Sequence, residues 1–293
     1  GETEGKKREK RHQEDLERLR SFRPIDDTFM RGLFKDNLPL AELVLRIITG
    51  KKDLRLLKCE TQADLKRVTG ARSICLDAYA EDSTGKKYDM EVQRSDNGAD
   101  PHRARYHSSV MDVENLDEKQ DYRDLPDTYV IFITEKDYYK AGKPMYAIQN
   151  MNLTLNQPFE DGTHILYVNG EYRGDSDLGK LMHDFNCTDA EDMYFDLLAE
   201  KTRYLKENPK GVNEMCKVME DLRNESYAEG REEQAKITAV RMGKKGRSPE
   251  EIAELIDFDV ETVKKWLQTT EEEKNKGMQS KSQSNSGLEI KYS

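Results

Sequence analysis

The segment KKYDMEVQRSDNG, residues 86–98, alternates the polar Asp89, Glu91 and Gln93 with the apolar Tyr88, Met90 and Val92. A period of two is that of a β-strand, so the two acids and the amide share one face. Upstream, RSICLDAYAED reads as a second strand, with Ile74, Leu76 and Ala78 on one face and Cys75, Asp77 and Tyr79 on the other. The polar STGKK between them, with Gly85, predicts a turn, and the resulting hairpin brings Asp77 near Glu91. Two carboxylates so placed repel unless positive charge separates them. A hard divalent cation suits such a pair, and Mg²⁺ commonly takes one or two carboxylates together with substrate phosphate. An ion there would lower the pKa of water and neutralise charge in a phosphoryl-transfer transition state. The bland alternative is the wet face of a half-exposed antiparallel strand, which routinely carries acids. The spacing alone does not separate the two.

The elements that must position these residues are legible around them. In PIDDTFMRGLFKDNLPLAELVLRIITG, Phe29, Leu33 and Phe34 fall at helical spacing. A break at Asp36 or Asn37 precedes a second stripe of Leu40, Leu43, Val44, Ile47 and Ile48, which Gly50 closes. These predict two short helices packing on a sheet. DLRLLKCETQADL is a strand followed by a turn, PHRARYHSSVMDVENL a helix, and TYVIFIT a buried central strand. PMYAIQNMNL and THILYVNGEY are two further strands. The order gives an α/β domain with a mixed sheet. From Asp177 to about Gln234 the pattern is helical, with a turn expected at ENPKG, residues 207–211.

Composition bounds the rest. The 293 residues carry a formal net charge of -10, and 36% of them are charged against 35% apolar, so part of the chain is solvated helix or tail. The acidity argues against whole-molecule attraction to nucleic acid but leaves room for a local basic cleft or a metal-bridged phosphate. Cys59, Cys75, Cys187 and Cys216 are widely spaced, without a CxxC. Neither a zinc knuckle nor a disulfide framework is implied, and scattered thiols fit a reducing, cytoplasmic setting. No membrane span or signal-peptide core is visible, and a first residue other than Met suggests a trimmed chain. Residues 1–21 read as a charged flexible arm or the start of a solvated helix, 22–205, which hold most of the apolar runs, as the main folded domain, 206–268 as a helical region, and 269–293 as a disordered tail.

The stretch RSICLDAYAEDSTGKKYDMEVQR resembles the core of the PD-(D/E)XK nuclease superfamily, and the chain is similar to its family of transposases, the recombination-promoting nuclease type. PIDDTFMRGLFKDNLPLAELVLRII, RARYHSSVMD, LPDTYVIFITEKD, HILYVNGEYRGD and GKLMHDFNCTDAEDMY extend the likeness over about residues 22–225. It implies a restriction-endonuclease-like mixed sheet flanked by helices, and Mg²⁺- or Mn²⁺-dependent hydrolysis of DNA phosphodiesters, associated with recombination. Asp77 and Glu91 match the metal-binding acids, aided by the backbone carbonyl of Val92. Gln93 stands where the superfamily usually has lysine; the transposase group often has glutamine there. A neutral amide orients water only by hydrogen bonding. An acid on the preceding helix often completes such sites, and Asp26 or Asp27 is the candidate. Asp27 is preferred, although either also suits a helix N-cap. Asp89 is expected on the site face without ligating metal. The same fold with its chemistry lost, acting as a nucleic-acid-binding or protein-interaction module, is the rival.

Two further segments bear on DNA. On the helix of RARYHSSVMD, Arg103 and Arg105 suit a phosphate, or are plain surface charges, with Tyr106 as a core anchor and His107 read as structural rather than as a base. In RSPEEIAELIDFDVETVKKWL, residues 247–267, Ser248, Pro249 and Glu251 form a helix start. Stripes of Ile252, Leu255 and Ile256, then Val260, Val263 and Leu267, flank the turn DFD. This resembles a helix-turn-helix, which would present Lys264 and Lys265 to DNA, although oligomerisation or simple packing gives the same pattern. Cutting of both strands would favour a homodimer.

Overall fold

A computed structural model of the chain describes residues 4–65 and 74–268. Two compact units follow one another, Gly1–Glu220 and Asp221–Ser293. The tail expected from residue 269 lies outside the described residues.

The first unit is built on a six-stranded mixed sheet in the order β1-β2-β3-β4-β8-β5. Its strands are β1 (Leu56–Leu65), β2 (Ile74–Asp82), β3 (Lys87–Gln93), β4 (Thr128–Thr134), β5 (Met145–Ile148) and β8 (Thr163–Asn169). The short β6 (Met151–Asn152) and β7 (Gln157–Pro158) make a separate two-stranded ribbon. The pairs β1–β2, β2–β3 and β5–β8 are antiparallel, and β4 runs parallel to both β3 and β8. Every residue of TYVIFIT is buried, as a central strand with both faces covered requires.

Helices cover both faces. The charged N-terminal segment is helix α1 (Glu4–Ser21), whose end buries Leu19 ahead of Phe22. Helices α2 (Asp27–Phe34) and α3 (Leu38–Thr49) bury the predicted stripes, Phe29, Leu33 and Phe34 on one and Leu40, Val44 and Ile48 on the other. Asn37 caps α3 by accepting from the Leu40 N–H, and Gly50 ends it at φ 71°, a left-handed conformation suited to glycine. With α5 (Asp177–Phe185) and α6 (Asp196–Glu207) they cover the face that carries Ala78, Ala80, Tyr88, Met90 and Val92. Helix α4 (Pro101–Asn115), opened by Pro101 and capped by Asp100, covers the other face, where Ala104 and Met111 pack with Tyr79, Val130 and Phe132.

Two local expectations are corrected. The turn expected at 207–211 narrows to Asn208, because Pro209 already opens helix α7 (Pro209–Gly243), a position where its missing N–H costs nothing. The regular alternation expected along β2 breaks at Asp77. Leu76 packs in the same cluster as Tyr79, whereas Ala78 and Ala80 join the opposite one. Across from Asp77, between the pairs Thr61↔Ala78 and Ala63↔Leu76, Gln62 of β1 has φ 57°. A left-handed residue in a ladder kinks it locally, as a bulge does.

In the second unit, the end of α7, helix α8 (Pro249–Ile256) and residues 260–268 enclose Ala239, Ile252, Val263 and Trp266. The capping box of Ser248 and Glu251 is formed. Asp257 adopts φ 58° at the end of α8, taking the left-handed place usually filled by glycine. Among the described residues no helix is long and apolar enough to cross a membrane.

Candidate functional site

The site forms where β2 and β3 part. Their ladder runs from Glu81↔Lys87 to Ala78↔Met90, and just past it the two acids interlock. The Asp77 N–H donates to Glu91 Oε1 at 3.0 Å, and the Val92 N–H donates to Asp77 Oδ2 at 3.2 Å. Each carboxylate is thus fixed by the backbone of the neighbouring strand.

The polar face of β3 is not a wet face. Asp89 is 0% and Glu91 1% exposed, because α4 lies over them. Burial disfavours charge, and the carboxylates repel one another. Burial first, then Asp89 and Asp77, hold Glu91 well above the ordinary carboxylate range. Asp89 is pushed up to about 8, chiefly by burial. Asp77 is raised by burial despite its bond from Val92; the Asp27 carboxylate raises it further, and Arg31 and Arg103 act in the opposite sense. Charges from both α2 and α4 therefore reach Asp77, as its break in alternation allows.

Asp27 opens α2 as an exposed residue acting on Asp77 through its charge. Asp26 occupies the N-cap position, but its side chain does not cap the helix. It accepts from the Arg23 N–H at 2.8 Å and pairs with Arg23 and Arg94, each at 3.3 Å. Both arginines also bind Glu135 just after β4, at 2.9 and 3.1 Å. Asp26 thus ties the entry of α2 to the strand ends.

Gln93 ends β3 with its Nε2 3.4 Å from Glu91 Oε2. Its amide lies against Gly98: a Cβ there would fall 1.8 Å from Gln93 Oε1. The glycine makes room for the amide.

Of the predicted phosphate contacts, Arg103 reaches into the site. Its Nη2 lies 3.2 Å from Glu91 Oε2, and its Nε donates to His107 Nε2 at 3.3 Å. Arg105 is exposed on the same helix. In the second unit, Lys264 lies 3.3 Å from Glu261 and 3.6 Å from Glu250, and Lys265 is exposed.

Sequence reasoning missed one participant. His107, read as structural, is buried and sets its Nδ1 2.8 Å from Asp89 Oδ2. Because Nε2 accepts from Arg103, Nδ1 carries the proton and donates to Asp89. Burial lowers the His107 pKa, in keeping with a neutral ring. The available signal was the i, i+4 spacing of Arg103 and His107, which places both on one helical face.

A six-stranded mixed sheet, a kinked β2 and an acid pair at its divergence from β3 define the geometry. Residues 39–171 match the model of the PD-(D/E)XK nuclease family transposases. The matched span, a little under half of the chain, is similar to that family and holds Asp77, Glu91, Gln93, Arg103 and His107. No curated protein and no solved structure matches the chain. The donors fit the divalent cation that PD-(D/E)XK nucleases use: oxygen atoms of two carboxylates whose burial and mutual repulsion favour a positive guest.

Proposed function

We propose that this protein is a metal-dependent DNA endonuclease that hydrolyses phosphodiester bonds in recombination or transposition. The observation that carries the reading is the interlock of Asp77 and Glu91 beside Gln93. Asp77, Glu91 and the backbone carbonyl of Val92 would hold Mg²⁺, with Mn²⁺ as a substitute. The ion, when bound, supplies charge neutralisation at the phosphoryl group and acidifies water.

The chain's own residues do the rest. Gln93 orients the attacking water through its amide, held in place by the absence of a side chain at Gly98. Being neutral, it neither takes the proton nor adds charge. Arg103 is 41% exposed and shares Glu91 with the site. Arriving phosphate competes for its guanidinium, which moves from carboxylate to DNA. Asp27 tunes Asp77 from the helix side. Arg105, Lys264 and Lys265 are the proposed backbone contacts away from the cut, and double-strand cleavage would require two copies.

Purified protein with MgCl₂ or MnCl₂ should nick supercoiled DNA, and Asp77→Ala or Glu91→Ala should abolish nicking. Cutting that survives both substitutions refutes the assignment. One observation favours the rival, a DNA-binding module without cleavage: Arg103 neutralises Glu91 internally. DNA binding with no metal-dependent cutting, and no heat of metal binding in calorimetry, would select it.

A further inference from the structure

We propose that Asp89, Glu91 and His107 form a second metal position, beneath α4, that takes a first-row transition-metal dication through mixed oxygen and nitrogen donors. It shares Glu91 with the site proposed above but does not depend on DNA being cut. One ligand atom from each of the three residues lies within 4.8 Å of the others. Donors bound to one ion at about 2.0–2.2 Å lie roughly 3–3.5 Å apart, so the three would close in by at most about 2 Å around an ion.

The independent sign of a guest is Asp89. Its side chain is fully buried, and while Oδ2 takes the His107 Nδ1–H, Oδ1 has no hydrogen-bond partner. A buried carboxylate oxygen left without a partner is costly, and such atoms in folded proteins ordinarily meet a donor, a water or an ion. This oxygen belongs to a carboxylate lying against a second buried carboxylate, Glu91. Without a guest the pair is joined by a shared proton, since burial keeps Asp89 protonated at neutral pH. A cation between them replaces that proton, which leaves to solvent, and satisfies both carboxylates.

The donor set selects the ion. Mg²⁺ prefers all-oxygen coordination, whereas an imidazole suits first-row transition metals. Binding through His107 Nδ1 moves that proton to Nε2, so the ring stays neutral and no proton leaves it. Nε2–H then no longer accepts from Arg103, and the guanidinium is released toward solvent. Occupancy would thus free Arg103 from its place beside Glu91.

The test uses the full chain with Mn²⁺ alone, read by electron spin echo spectroscopy, which detects a nitrogen bonded to the ion. The wild-type protein should show imidazole nitrogen coupling. His107→Gln should abolish it, with folding checked by circular dichroism, and should weaken Mn²⁺ binding by about 10-fold or more while sparing Mg²⁺. Asp77→Asn should keep the nitrogen signal while removing nicking. Bound Mn²⁺ with oxygen ligands only, or a nitrogen signal that persists in His107→Gln, overturns the proposal. The wild-type spectrum decides even if the variant fails to fold. A nitrogen signal in a protein that never cuts DNA sinks only the nuclease reading.

Discussion

The backbone N–H of Asp77 donates to the Glu91 carboxylate at 3.0 Å, so the first acid's main chain orients the second acid's side chain. The reverse bond runs from Val92 to Asp77. Both acids are held in place before any cation arrives, at the expense of burying like charges together. An amide keeps the acceptor oxygen for these bonds and removes the charge. Asp77→Asn and Glu91→Gln are therefore expected to raise stability in EDTA at neutral pH by about 1–2 kcal/mol while eliminating nicking. Urea unfolding beside a nicking assay checks the pair of effects. Variants that are both inactive and destabilised would show the acids to be structural.

Gly98 offers a way to move Gln93 without touching it. Gly98 has no positive φ to prevent an alanine, yet the added Cβ would fall 1.8 Å from Gln93 Oε1. The flexible amide must then swing away. Gly98→Ala should lower the cleavage rate by about 10- to 100-fold, the scale of a misplaced reacting group, with the melting temperature little changed. An unaltered rate would show that the position of the Gln93 amide is immaterial.

Much of this site could be read along the chain because strands and helices have periods. The alternation in KKYDMEVQR put Asp89 and Glu91 on one face, and the STGKK turn brought Asp77 to Glu91. Caps at Asn37 and Ser248 followed from side-chain chemistry next to apolar stripes. What escaped depends on contacts remote in sequence. Whether the acid face of β3 meets water or a helix is decided by α4 docking over it, and nothing in period two reports that. The break in alternation at Asp77 lies opposite Gln62, a left-handed residue on another strand. His107 joins Asp89 across 18 positions of chain.

The pH dependence of stability follows from Asp89. Its pKa in the folded protein is about 8, against about 3.9 for an unfolded aspartate. Between those values the folded state holds a proton that the unfolded state has lost, so stability falls as pH rises. Above about pH 8 both states are ionised and the loss is complete. Asp89→Asn has no such proton. In EDTA its advantage over wild type should be absent near pH 4, grow by up to about 1.4 kcal/mol per pH unit, and level off above about pH 8. His107, lowered by burial, acts with the opposite sign below its ordinary value. Unfolding curves across this range decide it, and a gap that narrows with rising pH would contradict the burial argument.

The second unit makes a separate claim on DNA. If Lys264 and Lys265 each neutralise one phosphate, the double change to alanine should weaken binding equally for all sequences. It should also flatten the slope of log affinity against log salt by about 1.8. Lys264 already faces Glu250 and Glu261, so a slope change near half that value would assign the contact to Lys265 alone. No change in slope would leave these helices with a packing role.

Arg103 connects the chemistry to the substrate. Without DNA it lies against Glu91 and His107; with DNA the proposed role is to hold a phosphate. Removing it has opposite consequences in the two settings. In EDTA at neutral pH, Arg103→Ala leaves Glu91 without its cationic partner and should destabilise the fold, by about 1–3 kcal/mol if Glu91 stays ionised. In the presence of DNA it should lower affinity and reduce the salt slope by about 0.9. Lysine at this position restores charge but not the forked geometry. Arg103→Lys should therefore recover the salt slope yet leave the cleavage rate depressed. Full recovery of both by lysine would reduce Arg103 to a point charge, and an unchanged salt slope in Arg103→Ala would place it outside the DNA path.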